Sequence, residues 1–133
     1  GLGATEIDSH EDLPVVNLSE KEFYETDQFP YQQLLTTDLV HCVMVAHNAF
    51  PKLDLQELDQ NGKLLPSSLS FKFIKQLLRE KLNFQGLVIT DDLEMGAILK
   101  NYGIGEACKM ALKAGEDMLL ICANPDSVRD GYR

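Results

Sequence analysis

Three short apolar runs recur along the chain and are separated by segments with helical periodicity or with turn-forming residues. The runs cover residues 40–46, 87–90 and 118–122 and consist mainly of aliphatic and β-branched side chains. Short apolar runs without polar alternation are typical of strands that are buried on both faces of a parallel sheet. We therefore predict three parallel strands.

The clearest helical pattern lies between the first two predicted strands. Its apolar positions share one helix face: Phe71, Ile74, Leu77, Leu78 and Leu82. Ser70 precedes this face and is a candidate N-cap. Further helices are predicted over residues 29–36, 93–101 and 106–114, the last ended by Gly115, and another begins near Asn124. This alternation predicts an α/β fold that is part of a larger barrel or doubly wound domain.

Composition restricts the class of protein. The chain has 133 residues, of which 44% are hydrophobic and 25% charged, and its net charge is −9. This negative charge argues against binding to nucleic acid or to anionic membranes. No apolar run approaches the roughly 20 residues that span a bilayer, and no signal peptide is recognisable. The three cysteines, Cys42, Cys108 and Cys122, form no CxxC pair, which fits a reducing compartment.

Polar residues follow each predicted strand, where parallel α/β folds concentrate their function. His47 follows the first strand, Asp91 and Asp92 follow the second, and Asn124 follows the third. One carboxylate of the pair could face the mouth of the sheet while Asp92 caps the next helix. The alternative for His47 and Asn124 is that they merely terminate strands.

A second candidate for chemistry is Asp8-Ser9-His10 in the opening segment. A carboxylate two residues from an imidazole can accept a hydrogen bond from one ring nitrogen and raise the basicity of the other. The same residues could instead form a simple turn. No HExxH motif or Cys/His cluster accompanies them, so we expect neither a metal nor another cofactor.

Several motifs in the same order resemble glycoside hydrolase family 3, in particular its β-N-acetylhexosaminidase branch. The matching segments span nearly the whole chain: residues 1–10 with Leu13-Pro14, residues 44–47 with Pro51 and Asp54, residues 69–70, 77–79 and 84–86, residues 89–95, and residues 114–120. The resemblance implies a partial (β/α)₈ TIM barrel, with residues 1–133 as the C-terminal part of that domain. Residues 1–19 would form the catalytic dyad loop, and the three predicted strands would be the last of the barrel.

The resemblance also implies an activity, which is hydrolysis of terminal β-linked N-acetylglucosamine with retention of configuration. Asp91 would be the nucleophile, His10 the general acid/base and Asp8 its orienting partner, while His47 and Asn124 are candidate substrate contacts. The substrate would be an N-acetylglucosamine-containing saccharide or muropeptide, used in peptidoglycan recycling in a bacterial cytoplasm.

Some features depart from the family pattern. Leu2 and Ala4 stand where the hexosaminidase branch often has His and Asp, and the family's Lys-His-Phe-Pro run would precede Gly1. A (β/α)₈ barrel needs about 250 residues, so we expect this chain to be inactive alone and to need the N-terminal part of the barrel or a second copy. The alternatives are a family 3 β-glucosidase or β-xylosidase, and a non-catalytic carbohydrate-binding barrel fragment.

Overall fold

One parallel sheet of three strands organises the computed structural model, which describes residues 2–133. The strands in chain order are β1 (Cys42–Val45), β2 (Leu87–Asp92) and β3 (Met118–Leu120). β2 lies in the middle and pairs in parallel with both neighbours, Val43 opposite Val88 and Ile89 opposite Met118. The predicted α/β architecture with a parallel sheet is therefore confirmed.

Helices precede and follow these strands. The α-helices are α1 (Glu20–Glu22), α2 (Phe29–Leu34), α3 (Gly96–Leu99), α4 (Ile104–Ala114) and α5 (Pro125–Tyr132). Two helices of the π type cover Phe23–Asp27 and Lys72–Lys81, and a 3₁₀ turn covers Ser67–Leu69. Within residues 2–133 no helix has the length and apolar character needed to cross a bilayer.

Two predicted helix ends are confirmed, the first by a hydrogen bond and the second by its backbone conformation. The Ser70 hydroxyl accepts the backbone N–H of Phe73 at 3.3 Å, ahead of the helix Lys72–Lys81. Gly115 ends α4 in the left-handed conformation, with φ of +112°. Only glycine adopts that conformation without strain, and a Cβ there would lie 2.9 Å from the Lys75 side chain.

The structure corrects the predicted boundaries around the acidic pair. β2 continues through Asp91 and Asp92, and the helix predicted over residues 93–101 is reduced to α3. The intervening residues form a turn, because Met95 N–H donates to Asp92 O at 3.1 Å. Asp92 does not cap a helix: its carboxylate accepts the Glu94 N–H at 3.1 Å and closes this turn, while Met95 is the N-cap of α3.

The outer two strands are shorter than residues 40–46 and 118–122. β1 ends at Val45, and beyond it the His47 side chain donates to Asp92 O of β2. Beyond β3, the Cys122 N–H donates to the Asp92 carboxylate at 3.3 Å, so the main-chain ladder has already ended there. At these strand ends, the side chains of His47 and Asp92 thus make the hydrogen bonds that connect neighbouring strands.

The two faces of the sheet are buried to different extents. On one face, Val43 and Val88 pack against Ile74, Leu78 and Phe84 and are almost completely buried. On the opposite face the alternating side chains are exposed: Met44 by 45%, Leu87 by 39% and Met118 by 48%. The helices therefore cover one face of the sheet and leave an apolar face uncovered.

Residues 2–18, which belong to the predicted dyad loop, contain no regular helix or strand; Gly1 lies outside the described residues. The end of the loop is nevertheless fixed to the segment after β1. Val16 N–H donates to Ala49 O at 2.8 Å, and Ala49 N–H donates to Pro14 O at 2.9 Å. These bonds hold the loop beside the end of the sheet at which β1 terminates.

Glu116, just before β3, is a buried acid with consequences for stability. The residue is 4% exposed, and among the described residues neither carboxyl oxygen has a hydrogen-bond partner. Burial, assisted by the charge of Asp117, raises the pKa of Glu116 to about 8, whereas Arg79 opposes the shift. Because a pKa raised by folding favours the protonated acid, this group destabilises the fold progressively as the pH rises from about 4.5 to about 8.

We therefore expect Glu116→Gln to remove part of the pH dependence of the free energy of unfolding. In the full-length protein, the variant should gain stability over wild type between pH 5 and pH 8, at about 1.4 kcal/mol for each pKa unit and several kcal/mol at most. Urea unfolding at the two pH values measures this. Glu80→Gln, at an exposed carboxylate, is the control; equal pH dependence in both variants and wild type would contradict the assignment.

Candidate active site

The ends of the three strands meet around Asp92. The His47 ring, after β1, donates from Nε2 to Asp92 O at 2.9 Å. The Cys122 N–H, after β3, donates to Asp92 Oδ1 at 3.3 Å. Since parallel strands end at one edge of a sheet, these bonds join all three strand ends into a single mouth.

Asp91 faces away from the helices that cover the sheet. It is partly buried, and its Oδ1 accepts the Asp92 N–H at 2.8 Å. With Cys42 and Met44 of β1, and with residues of α2, it lines a cavity beside the sheet. The two adjacent carboxylates thus differ in surroundings: Asp92 joins the strand ends, and Asp91 borders this cavity.

Asp8 and His10 form the hydrogen-bonded pair that their spacing allows. Asp8 Oδ1 accepts two hydrogen bonds, from His10 Nδ1 at 2.8 Å and from the His10 backbone N–H at 2.9 Å. These bonds lower the pKa of Asp8. The hydrogen bond from Asp8 raises the pKa of His10, and the negative charges of Asp91 and Asp92 add to the effect. The imidazole is therefore within electrostatic reach of the carboxylates at the end of β2.

The dyad loop is bound to the helix that follows β2. At the start of α3, Gly96 N–H donates to His10 O at 3.0 Å and Ala97 N–H donates to Ser9 O at 3.1 Å. These are N–H groups that a helix leaves unpaired in its first turn. Lys100 at the end of α3 pairs with Asp12 at 3.0 Å. One short helix therefore fixes the dyad in relation to Asp91.

We expect Gly96→Ala to displace the dyad loop. A Cβ at Gly96 would lie 2.5 Å from His10 O and closer still to Glu11 O, and both are backbone atoms. Because a displacement of about 1 Å can cost about 100-fold in rate, turnover should fall by about 10- to 100-fold, with a loss of stability of about 1–3 kcal/mol. Steady-state kinetics and thermal unfolding of the full-length protein measure both.

Gly103→Ala is the matched control for this prediction. A Cβ at Gly103 meets nothing within 4 Å, although the position is also a glycine at a helix start. Its turnover should remain within about twofold of wild type, with at most about 1 kcal/mol lost from the N-cap of α4. Equal kinetics of the two variants would show that the close approach at Gly96 does not matter.

The structure favours a scaffold role for His47. The ring is fully buried, and this burial lowers the pKa of His47, which favours the neutral imidazole. With Nε2–H donating to Asp92 O, Nδ1 accepts from the Ser68 hydroxyl at 2.6 Å. Both nitrogens are thereby occupied within the fold, and the substrate contact predicted for His47 stays an untested prediction.

Asn124 lies at the mouth but also has a local function. Its side-chain oxygen accepts the Asp126 N–H at 2.9 Å and forms the N-cap of α5. The residue is exposed. Its predicted contact with substrate is likewise untested.

Glu94 is a residue of the mouth that the sequence interpretation missed. Its Oε2 accepts the N–H groups of Ala123 at 2.6 Å and Asn124 at 3.2 Å. Hydrogen bonds lower the pKa of Glu94; the largest contribution comes from the Ser127 side chain, and these backbone N–H groups add to it. Glu94 thereby connects the loop after β3 to the turn after β2, and no periodicity in the sequence signals such a link.

Within residues 2–133, no cluster of three or more His, Cys, Asp or Glu side chains could hold a metal ion.

Known proteins share this arrangement of sequence and fold. The β-hexosaminidase of Haemophilus influenzae is 35% identical over 130 residues, which cover 96% of this chain and 34% of that protein. A family 3 β-N-acetylglucosaminidase from Paenibacillus sp. superposes with a TM-score of 0.85 at 34% identity, covering 96% of this chain and 23% of that one. A β-glucoside phosphorylase, BglX, superposes with a TM-score of 0.83 at 29% identity, over 98% of this chain and 24% of that one.

The extent of these matches defines the family and the share of its relatives' length that this chain covers. The chain spans about a third of the length of the curated relatives it matches. The structural similarity confirms that β1–β3 with their helices correspond to part of a family 3 barrel. The sequence profile described as "Glycosyl hydrolase family 3 N terminal domain" matches residues 1–131. This chain belongs to glycosyl hydrolase family 3.

Proposed function

We propose that the protein carrying this chain is a retaining β-N-acetylglucosaminidase in which Asp91 is the nucleophile and the Asp8–His10 dyad is the acid/base. The observation that carries the proposal is the attachment of the dyad loop to α3, since Gly96 and Ala97 bind the carbonyls of His10 and Ser9. The relatives named β-hexosaminidase and β-N-acetylglucosaminidase support the substrate class. Muropeptides from peptidoglycan recycling in a bacterial cytoplasm are the natural substrate that we propose.

The reaction would proceed in two displacements. In the first, the Asp91 carboxylate forms a bond to the anomeric carbon while the bond to the leaving oxygen breaks and His10 transfers a proton to that oxygen. In the second, neutral His10 takes a proton from water, whose oxygen attacks the anomeric carbon as the bond to Asp91 breaks. Two inversions give net retention of configuration.

Asp8 should set the pH range of this reaction. The dyad hydrogen bond raises the pKa of His10, so the proton needed for the first displacement is retained to higher pH. Asp8→Asn should therefore move the alkaline limb of kcat/KM to lower pH. The pH profile of the full-length variant measures the shift. Asp12→Asn, in the same loop but bonded to Lys100, is the control, and an unmoved limb in Asp8→Asn would exclude this role.

The active form, in this proposal, is a closed barrel. The uncovered face of the sheet carries the apolar side chains of Met44, Leu87 and Met118, and a (β/α)₈ barrel needs about 250 residues. We propose that the remaining barrel strands, or a second copy of the chain, cover this face. Residues 1–133 alone should then show no turnover.

The test is a comparison of substrates with the full-length protein. Nitrophenyl β-N-acetylglucosaminide and nitrophenyl β-glucoside are assayed separately, each with and without inorganic phosphate. The proposal predicts hydrolysis of the N-acetylglucosaminide with no dependence on phosphate. A preference for the glucoside would favour the glucosidase alternative, and dependence on phosphate would favour a phosphorylase, the activity named for BglX.

A further inference from the structure

The ladder between β2 and β3 is irregular where β2 reaches Asp91. Ile89 pairs with Met118, but the next pair is Asp92 with Leu120. β2 therefore advances three residues while β3 advances two. One extra residue in one strand is a β-bulge, which leaves a residue unpaired, bends the strand and redirects a side chain.

The Thr90 side chain completes the irregular ladder. Its Oγ1 accepts the Leu120 N–H at 3.0 Å, and the main-chain ladder resumes where Leu93 N–H donates to Leu120 O at 2.9 Å. Thr90 is completely buried, so this hydrogen bond between β2 and β3 is shielded from solvent.

The pairing of β2 with its other neighbour, β1, also ends at this point. The register between β1 and β2 ends with Val45 opposite Thr90. Asp91 is therefore the residue of β2 that has no main-chain pair in either register. Thr90, just before it, pairs with Val45 of β1 and bonds to Leu120 of β3 through its hydroxyl.

We propose that Thr90 is a positioning residue: its hydroxyl joins β2 to β3 through the Leu120 N–H, stabilises the bulge, and so aims Asp91 at the mouth of the barrel. This inference rests on the proposed function, because the direction of Asp91 matters to the reaction only if Asp91 is the nucleophile. The bulge itself belongs to the fold and is independent of that role.

The test replaces Thr90 by valine and by serine in the full-length protein. Valine has nearly the same shape and lacks the acceptor, whereas serine retains it. Thr90→Val should lower kcat, and the rate at which a slow fluorosugar substrate labels the enzyme, by about 10- to 100-fold with little change in KM. Thr90→Ser should restore both rates to within a few fold of wild type.

A control separates positioning from general destabilisation. Val88→Ala removes packing from the same strand, on the face that contacts the helices, and should lower Tm at least as much as Thr90→Val while kcat stays within about twofold. Equal kcat in the valine variant and this control would overturn the inference, as would failure of serine to restore the rate. A label found away from Asp91 would overturn the proposed function, whereas a label on Asp91 at the wild-type rate in Thr90→Val would overturn only the role of Thr90.

Discussion

Replacement of Asp91 by asparagine should reduce kcat by at least about 1,000-fold, the scale observed when a covalent nucleophile is removed. Asparagine has the same shape, and its amide oxygen can still accept the Asp92 N–H that Oδ1 accepts at 2.8 Å in the wild type. The fold at the strand end should therefore persist. The neutral amide cannot form the ester bond to the anomeric carbon, so the loss is chemical.

The neighbouring carboxylate provides the comparison. Asp92→Asn keeps an oxygen to accept the N–H groups of Glu94 and Cys122, and its effect on kcat should be at least tenfold smaller than that of Asp91→Asn. Tm of both variants should stay close to that of wild type. If the Asp92 variant lost more activity than the Asp91 variant, the assignment of the two carboxylates would have to be reversed.

Removal of the imidazole should have the second largest effect. His10→Ala should lower kcat by about 100- to 10,000-fold on a disaccharide substrate, because loss of a general acid/base costs that much. A nitrophenyl leaving group needs little protonation, so the first displacement should suffer less with it. Deglycosylation still requires a base, and the glycosyl-enzyme should therefore accumulate in this variant.

Glu11→Gln is the matched control for His10→Ala. Glu11 is the next residue in the loop and is exposed, so its substitution removes a charge from the same loop without altering the dyad. Turnover should remain within about twofold of wild type. A loss on nitrophenyl substrates as large as that on disaccharides, without accumulation of the glycosyl-enzyme, would show that His10 does not transfer the proton.

The regular part of the fold follows from local sequence patterns. The runs that contain Val43, Val88 and Met118 are apolar over the length of a strand, and Gly115 is placed where a helix must end in a left-handed conformation. Such signals depend on neighbouring residues only. They predicted three parallel strands and the helix after Ser70, which the structure confirms.

The details of the mouth depend on contacts between residues distant in sequence. The bond from Thr90 to Leu120 and those from Glu94 to Ala123 and Asn124 join residues that no periodicity relates. For the same reason the local pattern predicts that Asp92 caps a helix, whereas its carboxylate closes a turn and accepts the Cys122 N–H. A glycine such as Gly96 inside a helical pattern is one signal that could have revealed the close approach of the dyad loop.

Identification of the residue that becomes covalently attached to the sugar is the most direct test of the proposed function. The full-length protein is treated with a fluorinated N-acetylglucosaminide that forms the glycosyl-enzyme faster than it is hydrolysed, then digested, and the labelled peptide is sequenced by mass spectrometry. We predict one sugar per protein molecule, attached to Asp91. Attachment to another carboxylate, or complete turnover of the reagent with no covalent label at any point, would contradict the account.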